Sequence, residues 1–135
     1  MKKLFILIAS TFILFGCSKT FYSESVSVID YREYINEGFT ISPTVTGFNY
    51  QPISNIEVSF LMGDLKKGED GKGLLEYVPY KGYKSTNKIY YPSGKRMMDK
   101  MVTEAKNMGA NGLINFKVTI NAGKWVASGI AVKIQ

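Results

Sequence analysis

Only one long stretch of the chain repeats its apolar residues at three- and four-residue steps. Met97, Met98, Met101, Val102, Ala105 and Met108 fall on one side of a helical wheel, and Lys95, Arg96, Asp99, Lys100, Glu104 and Lys106 are left for the solvent side. Pro92 bars an earlier start, the Ser93 hydroxyl can cap the first turn, and Gly109 can close the last. The pattern predicts an amphipathic helix from Gly94 to Met108.

Elsewhere the period is nearer two. Phe39 to Ile41 and Ile56 to Phe60 read as strands, with Pro43, Gly47 and Pro52 punctuating the chain between them. Leu75 to Val78 and Lys88 to Tyr91 read as two more around a Gly-bearing bend. After the helix, "GLINFKVTI" and "KWVASGIAVKI" flank Asn121-Ala122-Gly123 as a hairpin. Gly129 inside the second of these predicts a bulge or a close backbone approach. Near the start, Asp30 with Glu33 three residues on has the form of a capping box, and Gly38 can end the short helix predicted over Tyr31 to Glu37. The expected fold is α+β, a mostly antiparallel sheet packed on one side by the helix of the C-terminal half.

The first residues follow a different logic. Two lysines after Met1 precede an uncharged run from Leu4 to Phe15, which is the form of a secretory signal peptide. A bilayer-spanning helix needs roughly 20 apolar residues, more than this run supplies. Leu14-Phe15-Gly16-Cys17 then has the form of a bacterial lipobox, in which the cysteine thiol receives a diacylglycerol and becomes the new amino terminus. Several fatty acyl chains give the stable anchoring that one chain does not. The expected organisation is a signal peptide over 1–16, a lipidated Cys17 with a tether over 17–27, and a single α+β domain over 28–135. Ser18 after the anchor is compatible with sorting to the outer membrane, facing the periplasm.

Composition narrows the chemistry. Cys17 is the one cysteine, so stability has to come from burial and hydrogen bonding instead of a disulfide. With no histidine, a Ser-His-Asp triad and a Cys/His zinc site are both excluded. The formal charge falls by two, from +6 to +4, when Lys2 and Lys3 leave with the leader.

The stretch "AKNMGANGLINFKVTI…GKWVASGIAVKI" resembles the YbjQ-like family of small domains, some of which carry a heavy-metal-binding label. The matching positions are Ala105, Gly109, Ala110, Asn111, Leu113 and Ile114, then Gly129-Ile130-Ala131-Val132. A more distant likeness is to the stress-sensing outer-membrane lipoproteins of the Rcs system, which use paired cysteines. The resemblance implies a related α+β fold and self-assembly into ring-shaped pentamers. Read physically, Gly109 takes a left-handed conformation, Ala110 is small enough to sit under the turn, and Asn111 hydrogen-bonds local backbone as the chain reverses.

Three groups of side chains invite a functional reading. The helical methionines could offer thioethers to Cu(I), but their spacing coincides with the apolar stripe, which makes them packing residues. Asp64, Glu69, Asp70 and Glu76 could supply a carboxylate pair for weak hydrolysis, yet the Gly/Lys-rich segment over 63–73 gives them no rigid placement, and its acidic spacing does not fit a calcium loop. The third group is basic and aromatic. Tyr77, Tyr80, Lys81, Tyr83, Lys84, Lys88, Tyr90 and Tyr91, with Lys95, Arg96 and Lys100 beyond them, meet only Asp99 as countercharge. Export argues against nucleic acid, so the expected partners are an envelope protein or an acidic glycan. No cofactor and no metal is expected. The sequence therefore predicts a non-catalytic binding or assembly module of the cell envelope, with a small-ligand or metal sensor as the alternative.

Overall fold

The computed structural model describes residues 28–77 and 88–135, together with Glu24 and Val26. The leader, Cys17, most of the tether, and Tyr80, Lys81, Tyr83 and Lys84 of the basic and aromatic group lie outside the described residues. In chain order the elements are α1 (Arg32–Asn36), β1 (Thr40–Ile41), β2 (Tyr50–Leu61), β3 (Leu74–Tyr77), β4 (Ile89–Pro92), α2 (Gly94–Asn107), β5 (Gly112–Asn121) and β6 (Lys124–Ile134). The fold is α+β. Four strands form one sheet in the order β1-β5-β6-β2, and β3 and β4 form a separate hairpin. Only the β1–β5 pair is parallel.

The helix α2 forms where the stripe predicts it. The Arg96 amide donates to the Ser93 hydroxyl at 3.1 Å, which satisfies one of the amides that a helix start leaves open. Met97, Met98, Met101, Val102 and Ala105 are buried against Ile56, Leu113, Ala127 and Ala131 of the sheet. Their unbranched side chains fill the gap between a helix and a twisted surface. Met108 departs from the expected stripe. The helix ends at Asn107, so Met108 occupies the C-cap and is 44% exposed.

The β5–β6 hairpin is also as expected, closed by a two-residue turn at Ala122 and Gly123. Both have positive φ, 46° and 78°, the type I′ geometry whose twist matches that of paired strands. The bulge that Gly129 suggested lies across from it instead. Register slips between Ile114 and Lys117, where Asn115 adopts φ 52°. Asparagine tolerates that conformation better than most residues. Gly129 provides the close approach, since a Cβ there would sit 2.9 Å from Leu113 Cδ1.

Leu113 and Ile114 are both fully buried because they point to opposite faces. Leu113 and Ala131 pack under α2, whereas Ile114 and Val132 face away from it. The chain after β1 runs along β5 there: Phe116 N donates to Ser42 O at 3.1 Å and Asn115 N to Thr44 O at 3.2 Å.

Two expectations need correction. Asp30 stands one residue before the N-cap position, where its carboxylate accepts from Arg32 N in the first turn at 3.0 Å, but the expected box with Glu33 does not form. The N-cap position is Tyr31, with no side-chain cap bond, and the Asp30 carboxylate is held by Arg32, whose Nη2 lies 2.6 Å from Oδ2. These hydrogen bonds lower the Asp30 pKa to about 2. Glu33 likewise reaches to Lys95 instead of back to the chain start. The second is β2, which begins at Tyr50, well before Ile56. Pairing with β6 carries it through Pro52, where the register shifts; a proline with no amide is tolerated on an edge strand.

Asn111 does more than turn the chain locally. Its Nδ2 donates to Ile134 O at 3.1 Å, and Ile134 N donates to its Oδ1 at 2.6 Å. Its backbone carbonyl accepts from Thr40 N. The ends of β1, β5 and β6 meet at this one residue.

Candidate functional site

The helix α2 packs on β2 as well as on β5 and β6, yet it leaves part of the edge strand β2 uncovered. Val58 and Phe60 remain half-buried on the helix-facing side of that strand. The 72–73 turn closes the gap from the other side. Ser93 N donates to Gly73 O at 3.1 Å, and Arg96 Nη1 donates to Lys72 O at 2.6 Å. Gly73 has φ 73°, and a Cβ there would meet Arg96 Cβ at 3.3 Å, so the turn approaches the helix this closely only as glycine. Between β2, α2 and this turn lies an open groove with a volume of about 760 Å³.

Its floor is Val58, Ser59 and Phe60, and its walls carry Lys72, Lys95, Arg96, Asp99, Lys100 and Thr103. Lys95 is fully committed: its Nζ donates to Glu33 Oε2 at 2.7 Å and Asp99 Oδ1 at 3.2 Å. The Glu33 contact, then that with Asp99, raises the Lys95 pKa. Tyr34 joins this network by donating to the same Asp99 oxygen at 2.6 Å. Burial first, and the Asp99 carboxylate second, push its phenol up. Lys100 pairs with Glu104 at 2.7 Å. Among the described residues, Lys72 and Arg96 have no carboxylate within ion-pair distance. They are the two uncompensated cations of the groove, and both sit on the turn side of it.

The predicted basic and aromatic surface is less basic and less continuous than the sequence suggested. Lys88 pairs with Glu76 at 3.2 Å, which raises its pKa. Lys95 and Lys100 also have carboxylate partners, so Asp99 is not the sole countercharge. The register of β3 and β4 sets Glu76 opposite Tyr90 and Tyr77 opposite Ile89. Lys88 and Tyr90 therefore share one face of the hairpin, and Tyr77 and Tyr91 share the other. Tyr91 is engaged, stacked on Trp125 with centroids 5.6 Å apart and planes at 14°. Tyr90 is fixed through its backbone, which exchanges hydrogen bonds with Gly63 at 2.9 and 3.1 Å. Tyr77 stands half exposed.

The loop carboxylates hold turns. Glu69 accepts from Lys66 N and Asp70 from Lys72 N, each at 2.9 Å, and Glu76 takes Lys88. Asp64 and Glu69 line one small cavity of about 170 Å³, which Asp70 and Glu76 do not reach. Among the described residues, no group of three His, Cys, Asp or Glu could hold a metal ion. Met97, Met98 and Met101 are buried in the core, as the stripe predicted. No described helix is long and apolar enough to cross a membrane.

Val58, Phe60, Lys72 and Thr103 escaped the reading of the sequence as site residues. The alternation of Ile56, Val58 and Phe60 marks one face of a strand, but nothing in it says that the helix buries Ile56 and leaves Val58 and Phe60 half-buried. Neither a protein-family model nor a curated protein matches the chain.

Proposed function

We propose that this protein is a lipid-anchored binding or assembly module of the cell envelope, without catalytic activity, that takes an acidic partner in the groove between α2 and β2. The observation that carries the reading is the placement of Lys72 and Arg96, two cations without carboxylate partners, beside an apolar floor. An acidic protein segment or glycan that presents carboxylate or phosphate to Arg96 gains paired, charge-assisted hydrogen bonds while covering Val58 and Phe60. The lipobox at Cys17 supports residence in the envelope, at the outer membrane facing the periplasm. The absence of histidine, and carboxylates occupied in holding turns, support a non-catalytic role. The "GAN" turn between helix and strand supports a YbjQ-like core.

A photocrosslinking residue at Thr103, inside the groove, tests this in native cells against the same residue at Thr119, on the outer side of β5. Adducts at Thr103 alone, abolished by the double substitution Lys72→Glu and Arg96→Glu, are expected. Equal adducts from both positions, or adducts insensitive to the charge reversal, refute it.

A further inference from the structure

The two ends of the sheet are chemically unlike, and the difference coincides with where the tether leaves the fold. The helix α2 starts near the β5–β6 turn, since Tyr91 just before it stacks on Trp125, and ends at Asn107, four residues before Asn111, which binds Val132 and Ile134. The segment leading in from the N-terminus enters at the start of α2: a Cβ on Gly94 would lie 2.8 Å from Val28 O and 3.0 Å from Ile29 Cγ1. Ten residues, 18–27, separate Cys17 from Val28. Fully extended they reach about 35 Å, so an anchor at Cys17 holds the molecule by this end.

At the same end stand the most exposed large apolar side chains of the folded body. Leu61 is 79% exposed, Val28 74% and Ile120 59%, and Met62 lies against Gly123 beside them. Register places Ile120 and Leu61 in adjacent rows at this end, on opposite faces of the sheet. Ile120 and Phe60 flank Trp125 in one row, and Leu61 sits opposite Lys124 in the next. On the neighbouring hairpin, Leu75 and Tyr77 are also half exposed. Lys124 stands at this tip, and Lys66 and Lys67 follow Met62 in the chain; none of the three has a salt-bridge partner among the described residues. Exposed apolar side chains beside unpaired ammonium groups are the composition that settles at the headgroup level of an anionic bilayer. The far end, at Gln51 and Lys133, also carries Ile53 and Met108, but these are less exposed, at 41% and 44%.

We infer that the β5–β6 turn end of the sheet, carried by Leu61, Met62 and Ile120 with Lys124 beside them, rests on the surface of the membrane that holds the anchor. This rests on the reading of Cys17 as lipidated. The contact fixes which way the groove faces: α2 stands away from the bilayer with its N-terminal turn nearest the lipid.

The test uses the full, lipidated chain in vesicles of phosphatidylcholine and phosphatidylglycerol that contain a spin-labelled lipid. Single substitutions Leu61→Cys, Ile120→Cys, Gln51→Cys and Met108→Cys each carry an environment-sensitive fluorophore; the Cys17 sulfur, once acylated, does not react. Expected are a blue shift and at least threefold stronger quenching by the lipid label at 61 and 120 than at 51 and 108, with the difference growing as phosphatidylglycerol is raised. Equal quenching at the two ends, or stronger quenching at 51 and 108, overturns the inference. So does shielding of 61 and 120 from an aqueous quencher without quenching from the lipid, which marks a protein partner. Intact mass of the same preparation separates the two levels. Acylated protein without end-selective quenching removes the orientation alone, whereas an unmodified Cys17 removes the anchor and the orientation with it.

Discussion

Replacing Asn111 with alanine removes both side-chain bonds to Ile134 and leaves the amide and carbonyl of that residue without their partners. A net hydrogen bond contributes about 1 kcal/mol, and a buried group left unsatisfied costs about 1–3 kcal/mol. Ile134 is half-buried at the end of β6, so water recovers part of this, and the expected loss is about 1–3 kcal/mol. Against a typical total of about 5–15 kcal/mol this is a large fraction. It corresponds to a fall in Tm of about 5–15 °C for a domain of this size. Urea denaturation followed by far-UV circular dichroism measures it directly. Asn111→Asp discriminates the mechanism, because it keeps the acceptor for Ile134 N but turns a carboxylate toward Ile134 O, and should be at least as damaging as alanine. A loss below about 0.3 kcal/mol for alanine refutes the idea that Asn111 fastens the end of β6, because that lies under the cost of even one net hydrogen bond.

Three further outcomes follow from particular contacts. Ala122 holds φ 46° in the type I′ turn, so Ala122→Asn should stabilise the protein by about 0.5–1 kcal/mol, read as a raised thermal midpoint; no gain would place the strain elsewhere. Met98 is fully buried, and if its role is packing, Met98→Leu should cost less than about 1.5 kcal/mol whereas Met98→Ala costs about 2–5 kcal/mol; equal losses in the two urea titrations would show that the sulfur itself matters. The Tyr34 phenol is held protonated in the fold by burial and Asp99, so its stabilising preference is fully present below its ordinary pKa of 10.0 and is lost as pH rises through the raised folded value. Stability should therefore decline above about pH 10, with a shallower decline in Tyr34→Phe; parallel slopes in urea midpoints across that range would assign the effect to other groups.

The elements that sequence predicted well are those whose own periodicity matches their burial. The stripe from Met97 to Ala105 needs only one neighbour, a flat apolar surface, and the β5–β6 hairpin carries its turn signal within two residues. Features set by a distant partner were not legible. The first half of β2 has no alternation to mark it, because its pairing is imposed by β6. The bulge sits at Asn115 because Gly129, directly across the pair, leaves room for Leu113 to fold inward; sequence located the pair of strands but not which of them would yield. The capping box failed because Arg32, two residues on, competes for the Asp30 carboxylate.

The site shows the same division. That Lys95, Arg96 and Lys100 lie on the solvent side of α2 was evident from spacing. That Lys95 would be neutralised by Glu33, from a helix 62 residues earlier, was not. The groove exists because α2 covers Ile56 of β2 but leaves Val58 and Phe60 half-buried, a matter of where a helix comes to rest that no local pattern encodes. Tyr91 was readable as a surface aromatic, and its occupation by Trp125 depends on how the β3–β4 hairpin docks.

The pairing of β2 bears on how the chain comes to be folded at all. Every ladder partner of β2 lies at or beyond Lys124, and β1 likewise waits for Gly112 and Leu113. A nascent chain that stops short of these residues has strands without mates and no surface for α2 to cover. Closure of these long loops makes the final collapse late and cooperative. Delay of this kind is built into the order of the strands.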